Sequence, residues 1–384
     1  MEKIKIALVI TRLDRGGAPD LLLSIINHLD PNRYDISLIS GLTLHPLSGI
    51  QEISQKNIKL IFVPCLRREI NPLLDIKACF KLYRIFKEER FDIVHTHTAK
   101  AGVLGRITAR LAGIKKIAHL PHGHNFYGYF GPLRTKLATI LERFIAHFTD
   151  RLIVLTELEK QDFLKFKVGK ISKIVVINSG LNLDRYRQAV IDRVKVKEEF
   201  SVQENEFLVG MIGRLEPVKG PQYFVEASTL VCKEFPQTKF LVAGDGRLKP
   251  ELEFQARRLG IYDRFIFTGW REDIPEILPI LDILVLPSLN EAVGRILIEA
   301  GACGIPVIAS RVGGIPEIVK DNQTGVLVAA GDPPRFAEAI ILLLKDRERR
   351  LRMGENARAW VDGKFSAENM ADKFAKVYEE LVKE

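Results

Sequence analysis

Residues 281–317, LDILVLPSLNEAVGRILIEAGACGIPVIASRVGGIPE, constrain the fold more tightly than any other stretch of the chain. A short apolar run, Ile283 to Leu286, stops at Pro287-Ser288, as a buried parallel strand stops where its loop begins. A polar turn, Leu289-Asn290-Glu291, leads into a helical segment from Arg295 to Cys303, which ends at Gly304 with Pro306 close behind. A second strand, Pro306 to Ala309, and a Gly313-Gly314 turn before Pro316-Glu317 complete a strand, loop, helix, strand unit. Its loops fall at one sheet edge, where open α/β sheets bind ligands.

Glu291 and Glu299 flank the start of that helix, and the spacing places Glu291 in the loop just before the first turn. The backbone N–H groups of Ala292, Val293, Gly294 and Arg295 then point outward at the positive end of the helix. That is a site for an anion, and Gly294 lets a phosphate approach the backbone.

The strand Phe207 to Ile212 runs into Gly213-Arg214-Leu-Glu-Pro-Val-Lys219-Gly220. A glycine turn at a strand end, followed by a guanidinium and an ammonium before a helix, suits a diphosphate: Arg binds it as a fork and Lys as a point charge. The glycine spacing, and the lack of Ser or Thr after Lys219, exclude a Walker loop. G-x-G-x-x-G is absent as well, at Gly16-Gly17 and at Gly244-Asp-Gly246 alike.

The run Ser288-x-x-Glu291-x-x-Gly294-x4-Glu299-Ala300, with Cys303-Gly304-x-Pro306-Val307 and Gly313-Gly314-x-Pro316-Glu317 after it, resembles the donor-site signature of the family-4 glycosyltransferases. The resemblance implies the α/β fold called GT-B, two Rossmann-like domains with parallel sheets facing across a cleft. The implied domains are an acceptor-binding one over 1–183, joined by a final helix at 367–384, a linker over 184–205, and a nucleotide-sugar-binding one over 206–366. The implied reaction moves a sugar from a nucleotide sugar, UDP-linked, to an acceptor hydroxyl with retention at the anomeric carbon. Arg214 and Lys219 then take the charge of the leaving diphosphate, Glu299 holds the ribose hydroxyls, and Glu291 holds the transferred sugar. His122, before Gly123, matches a family position beside the donor hexose. Gly16 and Gly17 match a loop facing the diphosphate, and Gly213 and the backbone of residues 292–295 complete the donor site. No cofactor and no metal is implied, and the sequence has no Asp-x-Asp. The family has Gly-Phe-Gly where this chain has Ala292-Val293-Gly294, which leaves the backbone role intact and alters the pocket for the sugar.

The first half reads as strands and helices in alternation, hence a parallel sheet covered on both faces. Five histidines, at positions 95, 97, 119, 122 and 124, crowd one stretch. A metal centre is disfavoured, because no Asp or Glu falls between Asp92 and Glu142. His95 and His97 are expected to line the acceptor cleft or to satisfy each other's loops. From Arg134 to Phe148, the residues Leu137, Ile140, Leu141, Phe144, Ile145 and Phe148 share one helical stripe. That stripe reads either as a core-facing helix or, with the aromatic loop 126–130 ahead of it, as a helix lying in a membrane interface.

Charge separates the halves. Residues 1–185 hold 29 Lys and Arg against 17 Asp and Glu, a net of +12, while the remainder of the chain nets −3. A basic half suits an acidic partner, here a lipid-linked acceptor or an anionic membrane surface. Nucleic acid is disfavoured for want of any helix-turn-helix, zinc-finger or aromatic-basic signature. Scattered cysteines and no apolar run near the eighteen residues of a membrane span point to a cytoplasmic protein, at most peripheral to the inner face of the membrane. Two alternatives stand beside transfer: a nucleotide-sugar epimerase of the same fold, and a binding protein without catalysis.

Overall fold

The structure, a computed structural model, describes residues 3–14, 16–43, 58–124, 126, 131–187 and 192–383. It divides into two units, Met1–Gly180 with Ala367–Glu384, and Leu181–Ser366. Of the aromatic loop, Tyr127 to Phe130 lie outside the described residues.

Among the described residues, the first unit has seven parallel strands: β1 (Ile4–Ile10), β2 (Tyr34–Ser40), β3 (Lys59–Phe62), β4 (Ile93–His97), β5 (Lys116–Leu120), β6 (Arg151–Val154) and β7 (Ile174–Val176). Their order in the sheet is β3-β2-β1-β4-β5-β6-β7. Ile6 to Ile10 are fully buried, since β1 is covered on both faces, and that is why the strand reads as one apolar run. The winding direction reverses between β1 and β4. Right-handed crossovers therefore place helices Pro72–Glu89, Ala99–Leu111 and Pro132–Ile145 on one face of the sheet, where they pack side by side in that order. Helix Gly17–His28 lies on the other face and packs with the C-terminal helix Ala367–Lys383. That last helix buries Met370, Phe374, Tyr378 and Leu381.

The second unit has its own sheet, β8 (Phe207–Ile212), β9 (Thr238–Ala243), β10 (Phe265–Gly269), β11 (Ile283–Leu286), β12 (Val307–Ser310) and β13 (Gly325–Val328), in the order β10-β9-β8-β11-β12-β13. Phe224, Phe240 and Phe265 pack in its core with ring centroids 5.2 to 6.0 Å apart. Each such ring contributes about 1.5–3 kcal/mol by leaving water. Residues 184–205, read as a linker, carry the short helices Asp184–Arg187 and Arg193–Glu199 within this unit. Arg187 pairs with Asp362, and Arg271 with Glu199, so charged contacts tie the segment to the unit's body.

On helix Pro132–Ile145 the stripe faces the core only at its end, through Ile145, and otherwise faces outward. Of this helix only Thr139 and Ile145 are buried, and Leu133, Leu137, Ile140, Leu141 and Phe144 are exposed. The core-facing reading fails because Glu142, off the stripe, is drawn inward by the buried Arg106 and turns the apolar side out.

Candidate functional site

In the second unit the chain winds outward from β8 in one direction and from β11 in the other, so the crevice at the ends of these two strands is the switch point of the sheet. Two loops meet there. After β8, Gly213 donates to Ala243 O at 2.9 Å and the chain turns through Pro217–Lys219 into helix Pro221–Glu234. After β11, Leu289 N–H donates to Val218 O at 2.8 Å, which binds the second loop to the first. A Cβ on Gly220 would fall 2.2 Å from Pro287 O, so only glycine lets the loops come this close.

This contact brings Lys219 to Glu291, and they form an ion pair through Glu291 Oε1. Ser288 Oγ donates to the same oxygen at 3.0 Å. Both donors converge on Oε1, and among the described residues no donor reaches Oε2. Arg214 is exposed at the same strand end, and its guanidinium has no partner among the described residues.

Gly313-Gly314 has a function that pattern reading missed. Gly314 N–H donates to Glu291 O at 3.0 Å. Gly313 has a left-handed φ of +50°, and a Cβ there would lie 1.8 Å from that same carbonyl. The pair of glycines clamps the backbone of Glu291 from behind, and the signal for it was the repeated glycine at a strand end.

Helix Arg295–Ala302 begins at Gly294, which is left-handed at φ +70°. The N–H groups of Ala292, Val293 and Gly294 donate no hydrogen bond among the described residues, as an anion site requires. Val293 and Gly294 are buried, and Ala292 is half-buried. Glu291 stands in the loop, and Glu299 on the helix one turn beyond Arg295, both half-buried. Burial, with the Glu299 carboxylate second, pushes the nearby Cys303 thiol up to about 12.

The corresponding edge of the first unit is knit by hydroxyls, backbone groups and imidazoles. The Thr11 and Thr98 hydroxyls lie 2.7 Å apart, and Thr98 N–H donates to Leu120 O at 3.2 Å. Gly16 caps helix Gly17–His28, and nothing within 4 Å would meet a Cβ there, so the loop is open. His122, at the end of β5, is left-handed at φ +58°. Its Nε2 lies 2.9 Å from His97 Nδ1, the His97 ring lies 4.1 Å from that of His95, and His95 Nδ1 lies 2.7 Å from the Tyr378 hydroxyl. The result is a column of three imidazoles ending on the C-terminal helix.

That column corrects the reading of His95 and His97 as cleft-lining, because both are fully buried. Desolvation holds them neutral: it takes His95 down to about 3 and His97 well below its ordinary value. His95 faces Tyr378, 283 residues away, a neighbour that no local pattern could supply. His119 belongs elsewhere, with its Nδ1 2.9 Å from Thr96 Oγ1, and His124 Nε2 lies 2.9 Å from Asp162.

Two doubly wound parallel units, the second with a cation, a carboxylate and open helix N–H groups at its switch point, are the build of a GT-B glycosyltransferase. Comparison with known proteins gives the family. Residues 15–185 match the family described as Glycosyltransferase Family 4, and residues 192–360 match Glycosyl transferases group 1. Over 387 residues, 99% of this chain and 98% of the relative, the chain is 34% identical to the UDP-Gal:alpha-D-GlcNAc-diphosphoundecaprenol alpha-1,3-galactosyltransferase of Escherichia coli. This chain belongs to the family-4 glycosyltransferases, which use nucleotide-sugar donors. Two solved structures share its fold. Anabaena HepE, solved in complex with UDP-glucose, matches with a TM-score of 0.82 at 24% identity, over 98% of this chain and 100% of that one. WaaG, a glycosyltransferase involved in lipopolysaccharide biosynthesis, matches with a TM-score of 0.80 at 20% identity, over 97% and 99%.

Proposed function

We propose that the chain transfers a hexose from a UDP sugar, with retention, to a hydroxyl of a lipid-linked acceptor at the inner face of the cell membrane. The observation that carries the reading is the convergence of Lys219 and Ser288 on one oxygen of Glu291, beside the open N–H groups of residues 292–294. The lipid-linked acceptor is supported by the 34% identical relative, a galactosyltransferase acting on GlcNAc-diphosphoundecaprenol, and retention follows the family resemblance.

Departure of the diphosphate is the step that needs help, since negative charge grows on its bridging oxygen as the sugar becomes oxocarbenium-like. Arg214, Lys219 and the start of helix Arg295–Ala302 supply positive charge at one strand edge, so the reading calls for no metal. With a donor bound, the Lys219 ammonium is shared between Glu291 and the diphosphate. Glu291, fixed from behind by Gly314 and from the side by Ser288, offers Oε2 to hydroxyls of the sugar. Glu299, on the half-buried second turn, is assigned to the ribose, and a carboxylate can hold two neighbouring hydroxyls. His122 is assigned to the sugar and acceptor side, with Gly16 and Gly17 at the diphosphate.

The test is UDP release from a panel of UDP hexoses, with and without an undecaprenyl diphosphate-linked sugar. Acceptor-dependent release with retention in the product is the expected result. Conversion of the donor to its epimer without any acceptor would replace transfer by epimerisation.

A further inference from the structure

Helix Pro132–Ile145 is apolar on its outside. Leu133 is 72% exposed, Leu137 59% and Phe144 59%, and Ile140 and Leu141 are exposed with them. At 3.6 residues per turn these five side chains occupy one face about 100° wide. The buried Thr139 lies on the opposite side, and there Glu142 accepts two hydrogen bonds, of 3.0 and 2.8 Å, from the fully buried Arg106. Arg134 borders the stripe on one side, and Lys136 and Arg143 border it on the other. Scattered apolar residues on a surface need no explanation, but five on one helical face leave a continuous strip in water.

Helix Pro72–Glu89 repeats the arrangement. Leu73, Ile76 and Phe80 are exposed, Phe80 by 71%, and they alternate with Lys77, Lys81, Arg84 and Lys87. The acidic groups on this helix are already engaged: Asp75 with Lys100, Glu89 with Lys59, and Glu88 with Arg84. Both helices lie on the same side of the sheet, flanking helix Ala99–Leu111, whose Leu111 is also exposed. The two outer faces therefore look the same way, away from the sheet. A shallow groove lined by Pro64, Arg67, Leu74, Lys77, Phe80 and Arg84 runs beside the first of them.

We propose that this helical layer is a docking surface for an anionic phospholipid bilayer. The apolar stripe enters the boundary between headgroups and acyl chains, and the cations on its flanks meet lipid phosphates. Charge decides against a second copy of the chain as the occupant, because the seven cations of the two faces would oppose their own kind. A bilayer of negative charge satisfies both the apolar strip and the cations around it. No helix among the described residues is long and apolar enough to cross a membrane, so contact is at the surface. The proposal deepens the reading of a membrane-bound acceptor and rests on it for its purpose.

Its test does not rest on that reading, since the vesicles used contain phosphatidylglycerol and phosphatidylcholine but neither donor nor acceptor. Wild type should sediment with vesicles of 40% phosphatidylglycerol at low salt at least about tenfold better than with pure phosphatidylcholine, and high salt should remove the difference. Leu137→Ser/Phe144→Ser should weaken binding about tenfold or more on the same vesicles, with an unchanged melting temperature as the folding control. Lys77→Glu/Lys81→Glu should remove the preference for anionic lipid. Equal binding to both vesicle types, or unchanged binding by the first double variant, would overturn the surface. So would a wild-type dimer in sedimentation velocity that Leu137→Ser/Phe144→Ser turns into a monomer, which would assign the face to a second copy.

Discussion

The two switch points of this molecule share a topology and differ in chemistry. Between β8 and β11 the strand ends carry a paired ammonium and carboxylate, an exposed guanidinium and open backbone N–H groups. Between β1 and β4 they carry threonine hydroxyls and a column of imidazoles, two of them, His95 and His97, buried and held neutral. Winding puts a crevice in both places, but only side chains decide what enters it. Fixed positive charge suits a leaving diphosphate, whereas neutral donors and acceptors suit uncharged hydroxyls.

The largest effects should come from the charged edge. Lys219→Ala and Arg214→Ala should each slow transfer more than a hundredfold, which corresponds to losing about 3 kcal/mol of transition-state stabilisation. Wild-type turnover should survive EDTA. Turnover within a factor of three of wild type in both variants would remove the charge difference between the two edges, and loss of activity in EDTA would show that a metal supplies part of it.

Gly313→Ala comes next and separates the clamp from the charges. The added Cβ meets backbone rather than a flexible side chain, so the Glu291 segment has to move. A displacement of about 1 Å at a reacting centre can cost on the order of a hundredfold, so turnover should drop roughly tenfold to a hundredfold while Lys219 and Arg214 remain in place. Normal kinetics with normal stability would dismiss the clamp.

At the edge of the first unit, His122→Ala should lower kcat about tenfold or more and leave UDP affinity nearly unchanged, because its assigned contacts are with sugar and acceptor. His97→Ala removes only the support behind that ring and should show a weaker form of the same split. Equal losses of UDP affinity and kcat would erase the division of labour between the edges.

The most selective effect is on stability with pH. An unfolded imidazole takes up a proton near pH 6.5, while His95 in the fold refuses one until about 3, and His97 and His119 are lowered well below 6.5. Below 6.5 the unfolded state thus binds more protons. Each of the three therefore favours the unfolded state as the pH falls below 6.5, and none of them does so above it. Amide exchange at pH 7 and pH 5 should show protection falling in Ile93–Leu120 and holding in Phe207–Leu286. An equal fall in both segments would mean that the buried imidazoles do not set the difference.

Much of the charged edge was legible because it is local. Gly213 to Gly220 and Ser288 to Glu299 are short segments, and the properties that matter in them are a left-handed glycine, a cation after a strand and a carboxylate before a helix. The alternation of strands and helices likewise announced two parallel sheets, since a fully buried strand must be apolar throughout. The pairing of Lys219 with Glu291 was not legible, because 72 residues separate them and only the docking of one loop on the other brings them together. The imidazole column was hidden for the same reason: its far end, Tyr378, is on a helix that returns from the other end of the chain.

The stripe that begins at Leu137 marks the boundary most clearly. By itself the sequence determined that a helix there has one apolar face and a cationic border, because periodicity of 3.6 residues is a property of the local chain. Which way that face points was decided by tertiary structure. A buried guanidinium on the neighbouring helix needs a carboxylate, Glu142 supplies it, and the cost of leaving that charge unpaired in the interior turns the leucines toward the outside.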